Sequence, residues 1–251
     1  ETVPPLDVKG FILSGIVLSG LSFGIANTGQ GLFPPEIVLA LFAMVFLMYG
    51  VFRKGETTEF VATGSILVLA VVAALVIWSG SGRLMAFDGA FVVDSFARLM
   101  KIFVLFGSAV AIALSAQFMK RDRSERFEYP VLVLLATVGM MMMISANNLI
   151  ALYMGLELQS LSLYVVAAIN RDSARASEAG LKYFVLGALS SDMLLYGSSL
   201  IYGFTGTTAF PQIAAAYVAG AGLNSFIPAR VGDAVKIFLA KRTIRRSTYT
   251  T

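Results

Sequence analysis

The sequence predicts an all-α polytopic membrane protein, a bundle of about seven or eight transmembrane helices. Of its 251 residues, 57% are hydrophobic and 14% are charged, whereas soluble domains carry about 25% charged residues. The mean hydropathy is +0.80. Six or seven stretches approach the roughly 20 apolar residues that a membrane-spanning helix requires. Together these observations indicate a helical bundle that lies in a lipid bilayer.

Apolar segments bounded by charged residues, glycine or proline predict the individual helices. The last segment is an Ala/Gly-rich run that Asn224 and Pro228 interrupt, so whether it crosses the membrane is left open. The predicted limits, in chain order, are about 10–27, 34–52, 59–79, 97–118, 129–147, 149–169, 178–204 and 211–229.

The segment Arg83–Asp94 separates two of these helices and alternates weakly between apolar and polar residues. It contains Asp88-Gly89, a dipeptide that favours tight turns. We predict a short hairpin or interfacial loop on the outer membrane surface.

The basic residues predict the orientation. If all eight segments cross the membrane, nearly all lysines and arginines fall on one side, and only Arg83 and Arg98 fall on the other. Basic residues mark the cytoplasmic side, so we expect both termini in the cytoplasm. The same asymmetry accounts for the net charge of +4, and the partner it indicates is the lipid bilayer rather than a nucleic acid.

The chain contains neither cysteine nor histidine. This composition excludes disulfides, thiolate-bound clusters, haem ligation by histidine and the usual zinc sites. Any proton chemistry must therefore use carboxylates, lysine, tyrosine and water.

Glu157 lies in the middle of an apolar segment, and Lys182 lies just inside the next one. A carboxylate near the bilayer midplane costs several kcal/mol, so such residues usually face protein or water and mark an ion path. The two helices should be antiparallel neighbours, with the two side chains about 12 Å apart along the helix axis. At that distance their Coulomb interaction is about 1.4 kcal/mol, which couples the two charges without a direct salt bridge. Alternatively, Lys182 extends to the interface beside Glu178.

Four further residues are candidates for a proton path. Tyr153 and Ser160 share the helical face of Glu157 and can supply hydrogen bonds or water contacts. Lys101 lies about one turn inside its helix, where we expect its amine to reach the interface, with a role in the path as the alternative. Asp192 would have to be neutral, hydrated or paired if it is buried.

Two strings, Ser145–Val165 and Ser177–Ser191, resemble the antiporter-like subunits of respiratory complex I, and most closely subunit N of NADH:quinone oxidoreductase. The resemblance covers about residues 31–215. It implies a proton-translocating membrane-arm subunit in the bacterial inner membrane, in which Glu157 accepts protons and Lys182 modulates it. It also implies other membrane-arm subunits as partners. NADH, FMN, iron–sulfur clusters and quinone would then be bound by partner subunits, with no cofactor or metal in this chain.

Residues 1–30 and 216–251 depart from that resemblance, and a small residue usually stands where this chain has Asp192. Residues 4–28 are more similar to a helix of major facilitator drug transporters, and the tail is loosely similar to lysylphosphatidylglycerol synthase-type flippases. Three alternatives therefore stay open: an Mrp-type cation/proton antiporter subunit, a truncated or chimeric membrane scaffold, and a small-molecule transporter. We expect the chain to be inactive alone, because gated access generally needs two related halves.

Overall fold

The computed structural model describes residues 35–53, 57–78, 83–121 and 125–226. This part of the chain contains seven helices, and six of them are long and apolar enough to cross a membrane. The predicted all-α membrane fold is thereby confirmed, and the chain is a multi-pass membrane protein. The helix predicted at about 10–27 and the basic tail lie outside the described residues.

The helices follow the predicted segments, and no boundary differs by more than about four residues. The seventh helix has 17 residues, which is about 25 Å of helix and shorter than the hydrocarbon core. The elements are α1 Pro35–Phe52, α2 Thr58–Trp78, β1 Leu84–Ala86, β2 Phe91–Val93, α3 Ser95–Arg121, α4 Glu128–Ser145, α5 Leu149–Ala167, α6 Ala174–Thr205 and α7 Phe210–Phe226.

The start of α6 corrects the sequence prediction. The helix begins at Ala174, four residues before the predicted position of 178. Ser173 is the N-cap, and its side chain accepts a hydrogen bond of 3.3 Å from the Ala176 amide. Because this cap satisfies one of the free amides at the helix start, the last four residues of the predicted turn are helical.

The chain forms two compact units, and α3 and α4 contribute residues to both. Within the first unit, α1 packs on α2 through aromatic residues. The Phe46 ring lies against Gly64, and the rings of Tyr49 and Phe60 are 4.9 Å apart. At the start of α2, Glu59 forms a surface ion pair with Lys120 of α3. The most deeply buried hydrophobic side chains of α1 and α2 are those of Leu39, Ala43, Val61, Leu69, Val72 and Val76.

The second unit begins with the predicted hairpin, which is confirmed. Strands β1 and β2 are antiparallel, with Ala86 opposite Phe91. The turn between them includes Asp88 and Gly89, with φ angles of 53° and 79°. The left-handed conformation suits Gly89 and is tolerated by aspartate, which explains the Asp-Gly signal in the sequence.

Asn147, in the connection between α4 and α5, forms hydrogen bonds with the hairpin and with the start of α7. Its amide donates to the Ala90 carbonyl of the hairpin at 2.8 Å, and its side chain donates to Gly89 at 2.8 Å. Its own carbonyl accepts from the Phe210 amide, at the start of α7, at 3.0 Å. The next residue, Asn148, caps α5. The hairpin and two helix connections are therefore fixed beside one another.

Helices α4 and α5 cross at a pair of glycines. A methyl group added at Gly139 would lie 2.6 Å from the Gly155 carbonyl oxygen, and one at Gly155 would lie 2.9 Å from the Gly139 carbonyl oxygen. Small residues of this kind let two membrane helices bring their backbones close together. The crossing leaves a different face of α5 to contact α6.

Helices α5 and α6 form an antiparallel pair with a definite register. Near the connection, a methyl group added at Gly180 would lie 2.5 Å from the Ala168 side chain. Further along, Ser191 contacts Glu157. These two contacts lie at matching distances from the connection, so the register is the same along the whole pair. Most of the rest of the α6 surface is exposed.

We expect Gly139→Ala to lower the free energy of unfolding by about 1–3 kcal/mol, because the added methyl group collides with backbone atoms that cannot rotate away. Gly197→Ala in α6 is the matched control, since its methyl group would meet nothing within 4 Å. Thermal unfolding of both variants in detergent measures the difference. Equal stability of the two variants would contradict the close crossing.

Candidate functional site

Glu157 lies in the middle of α5, on the side that faces α6. The Ser191 hydroxyl of α6 is hydrogen-bonded to the Glu157 carboxyl oxygen Oε1. Ser191 is 6% exposed, and Glu157 is half-buried. The carboxyl group that the sequence marks as costly in a membrane therefore contacts a buried polar group of the neighbouring helix.

Tyr153 extends this contact into a chain of three side chains. Its phenol oxygen lies 3.3 Å from the Ser191 hydroxyl oxygen, one helical turn before Glu157. A hydroxyl group has one proton to donate and can accept as well. When Glu157 is ionised, Ser191 donates to it and accepts from Tyr153. When Glu157 is protonated, it can donate to Ser191, which then donates to Tyr153.

Lys182 lies closer to the connection between the helices and pairs with a different carboxylate. Its Nζ atom is 2.5 Å from Glu178 Oε1, and its side chain is 70% exposed. By the register of α5 and α6, Lys182 is level with Val166, nine residues from Glu157. At about 1.5 Å per residue this separation is about 13 Å along the axis. The structure thus places Lys182 in the ion pair with Glu178 that the sequence offered as the alternative.

Two further predicted residues, Ser160 and Asp192, have different surroundings. Ser160 is half-buried, one turn beyond Glu157 on the same helical face. Asp192 directly follows Ser191 but is exposed, so it is not brought into the cluster. Asp192, like Lys182, lies on the part of α6 that α5 leaves uncovered.

The prediction that the Lys101 amine reaches the interface is wrong, because its side chain is 1% exposed. Asp94 caps α3 by accepting a 2.7 Å hydrogen bond from the Ala97 amide, so the helix begins at Ser95. Lys101 is then about 9 Å into the helix. Its amine is enclosed by protein rather than directed to the membrane surface.

Ser191 is the contact of Glu157 that sequence reasoning missed. Its polarity was visible, but a serine in an apolar helix is common and can satisfy itself on the helix backbone. The sequence signal that could have identified Ser191 was the register between the two predicted helices. Counting equal numbers of residues from the middle of the predicted turn at 170–177 leads from Glu157 to Ser190 or Ser191.

The chemistry that these groups offer is proton exchange and hydrogen bonding. The site consists of a carboxyl group, a serine hydroxyl and a phenol, and Lys182 lies about 13 Å further along the helix axis with its amine exposed. Among residues 35–53, 57–78, 83–121 and 125–226, no three His, Cys, Asp or Glu side chains are close enough to hold a metal ion.

Residues 146–235 match the family described as NADH:quinone oxidoreductase/Mrp antiporter, TM. The matched range contains Glu157, Lys182 and Ser191. It begins within the predicted antiporter-like region and extends twenty residues beyond its predicted end at 215.

Individual proteins are similar over a larger part of the chain. NADH-quinone oxidoreductase subunit N of Parvibaculum lavamentivorans is 57% identical over 180 residues, which is 72% of this chain and 37% of the relative. A chain of respiratory complex I from Thermus thermophilus with bound aureothin has a TM-score of 0.59 at 31% identity, over 70% of this chain and 38% of that one. A chain of the Mrp complex from Dietzia has a TM-score of 0.55 at 27% identity, over 82% of this chain and 40% of that one.

The resemblance to subunit N that the sequence suggested is confirmed by these similarities. The chain spans about two fifths of the length of the relatives it matches.

We expect Ser191→Ala to remove the hydrogen bond to Glu157 and thereby shift the infrared C=O band of protonated Glu157 toward that of a free carboxyl group. Glu157→Gln identifies the band by deleting it. Ser190→Ala is the matched control, because Ser190 is the exposed neighbour of Ser191. An unchanged band in Ser191→Ala would contradict the contact. The loss also leaves a half-buried carboxyl group with one partner fewer, which costs about 1–3 kcal/mol of stability.

Proposed function

We propose that this chain is part of an antiporter-like membrane-arm subunit of a proton-pumping NADH:quinone oxidoreductase, on the strength of its similarity to subunit N. In this proposal, Glu157 accepts and releases protons as quinone is reduced in partner subunits. The observation that carries it is the Glu157–Ser191–Tyr153 chain, which lies inside the range that matches the proton-antiporter family. This chain holds no redox centre in the proposal, and it acts as one subunit of a translocase.

The hydrogen-bond chain allows Glu157 to change its charge within the membrane. Leaving a buried polar group without a partner costs about 1–3 kcal/mol, and more for a charged group. Because Ser191 can donate to the carboxylate or accept from the carboxylic acid, neither state of Glu157 loses its hydrogen bond. A carboxyl group held in this way exchanges a proton with water without breaking the contact between α5 and α6.

Lys182 supplies a charge that can act on Glu157 from a distance. The axial separation of about 13 Å is a lower bound on the distance between the two charges, so at an effective dielectric constant near 20 they interact by at most about 1.3 kcal/mol. The interaction changes when the Lys182 amine moves or loses its charge. The ion pair with Glu178 holds the Lys182 amine away from Glu157, so breaking that pair is a step of coupling in this proposal.

The exposed charges of α6 support the presence of further protein around this helix. Lys182 and Asp192 both lie on the surface that α5 leaves uncovered. Charged groups within a membrane usually face protein or water rather than lipid. We propose other membrane-arm subunits as partners, with NADH, FMN, iron–sulfur clusters and quinone bound in partner subunits.

We further propose that the protein lies in the bacterial inner membrane with cytoplasmic termini, which the distribution of basic residues supports. The proposed organisation has an antiporter-like region at about 31–215 and additional segments at 1–30 and 216–251.

A second candidate is a subunit of an Mrp-type cation/proton antiporter. The similarity to the Dietzia Mrp complex favours this second candidate, because the structural match covers 82% of the chain, whereas the match to the Thermus complex I chain covers 70%. The higher sequence identity, 57% to subunit N, favours the first candidate. The chains that co-purify from native membranes distinguish the two, since only the first candidate requires subunits that oxidise NADH.

In the assembled complex, we expect Glu157→Gln to lower coupled proton pumping by an order of magnitude or more, because the amide cannot accept and release a proton. The ratio of protons moved to NADH oxidised measures the effect. Glu59→Gln is the control, since Glu59 is an exposed carboxylate at the start of α2, in the other unit. Wild-type pumping in Glu157→Gln would refute the proposed role, and a normal level of assembled complex shows that the fold is intact.

A further inference from the structure

A cavity of about 350 Å³ lies at one end of the first unit, where α2 begins, α3 ends and α4 begins. All of the residues that line it belong to this unit. Its volume lies in the range of small-molecule sites, about 300–1,000 Å³, and far exceeds the voids that close packing normally leaves. The cavity is therefore large enough to hold part of a ligand.

Small side chains form the inner part of the cavity. Ala62 of α2 and Ala113 and Ala116 of α3 line it, together with Ile112 and Met119. Ala113 and Ala116 are exposed, so this part opens at the outer surface of the helices rather than being enclosed by them. Its apolar lining can accept a hydrocarbon chain without leaving a polar group unpaired.

The outer rim of the cavity carries two positive and two negative side chains. The cations are Lys120, near the end of α3, and Arg126, and the carboxylates are Glu59 and Glu125. Lys120 and Glu59 form an ion pair in which their side chains are 60% and 72% exposed. Exposed pairs contribute little stability, so each partner can turn to a bound molecule. The equal numbers of charges suit a zwitterion better than a simple anion.

The length of the cavity relates its two parts to the bilayer. Lys120 at the rim and Ile112 at the inner end are eight residues apart, which is about 12 Å along α3. The headgroup region of one leaflet is only about 5–8 Å thick. When the rim lies at the level of the headgroups, the inner end therefore lies at the level of the acyl chains. A water-soluble ion would occupy the rim alone, whereas a lipid would occupy both parts.

We propose that this cavity binds a zwitterionic phospholipid with a primary ammonium headgroup, such as phosphatidylethanolamine. Arg126 and Lys120 donate hydrogen bonds to its phosphate oxygens. Its ammonium group, which has three N–H donors, donates to Glu59 and Glu125. One acyl chain lies along the alanines of α3. The bound lipid fills the gap between the ends of three helices, and the inference does not depend on the proposed function.

Photo-cross-linking in lipid nanodiscs tests the site in the native membrane complex. The probes are phosphatidylethanolamine and phosphatidylglycerol, each with a diazirine group on one acyl chain, and peptide mass spectrometry measures the labelling of residues 112–116. We expect phosphatidylethanolamine to label these residues several-fold more than phosphatidylglycerol. Equal or stronger labelling by phosphatidylglycerol would overturn the proposal, and this comparison needs no variant.

Two variants test the two parts of the site separately. Arg126→Gln removes a donor to the phosphate and should lower the labelling by phosphatidylethanolamine several-fold. Its matched control is Arg121→Gln, because Arg121 is exposed at the end of the same helix but lies outside the cavity lining. Ala116→Leu fills the inner part without changing any charge and should lower the labelling as well. Its control is Ala111→Leu, at an exposed alanine outside the lining.

The two controls should retain wild-type labelling. Full labelling in both Arg126→Gln and Ala116→Leu would contradict the site, since lipids that merely surround the helices do not depend on these side chains. An excess of water-soluble glycerophosphoethanolamine distinguishes a lipid from its free headgroup. It should leave the labelling unchanged, because binding requires the acyl chain. Displacement of the probe by this headgroup would show that the rim alone binds, and would overturn the proposed lipid site.

Discussion

The contact between Glu157 and Ser191 is the interaction on which the second unit is organised. A carboxyl group within an apolar helix needs a hydrogen-bond partner in both of its protonation states, and lipid offers none. The partner is on the next helix, so the contact exists only in one register of α5 against α6. The Ser173 cap and the close approach of Gly180 to Ala168 fix that register at the connection.

The two faces of α5 illustrate how one helix combines packing with chemistry. Gly155 meets α4 at backbone distance, which holds the helix rigidly on one side. The other face carries polar residues at intervals of four, three and four: Tyr153, Glu157, Ser160 and Tyr164. These intervals keep all four on the side of α6. A row of hydroxyl and carboxyl groups thus lies along a helix contact rather than in lipid.

Much of the fold follows from the sequence because its cause is local. Hydropathy and length set the helices, and the conformational freedom of Asp88 and Gly89 sets the hairpin turn. Glu157 was found because its cost depends only on depth in the membrane. The buried environment of Lys101 was not predicted, since burial depends on which helices surround a segment. The early start of α6 depends on a single cap at Ser173, which hydropathy does not detect.

Sequence reasoning could predict only the part of the candidate site that lies on a single helix. Helical periodicity places Tyr153 and Ser160 beside Glu157, since all three belong to one helix. Ser191 is 34 residues away, and its contact with Glu157 depends on the exact length of the connection between two helices. Adding or removing one residue within α6 between its cap at Ser173 and Ser191 would rotate Ser191 by about 100° around the helix axis and turn it away from Glu157. The place where α6 begins therefore influences the surroundings of Glu157 as strongly as a residue that touches it.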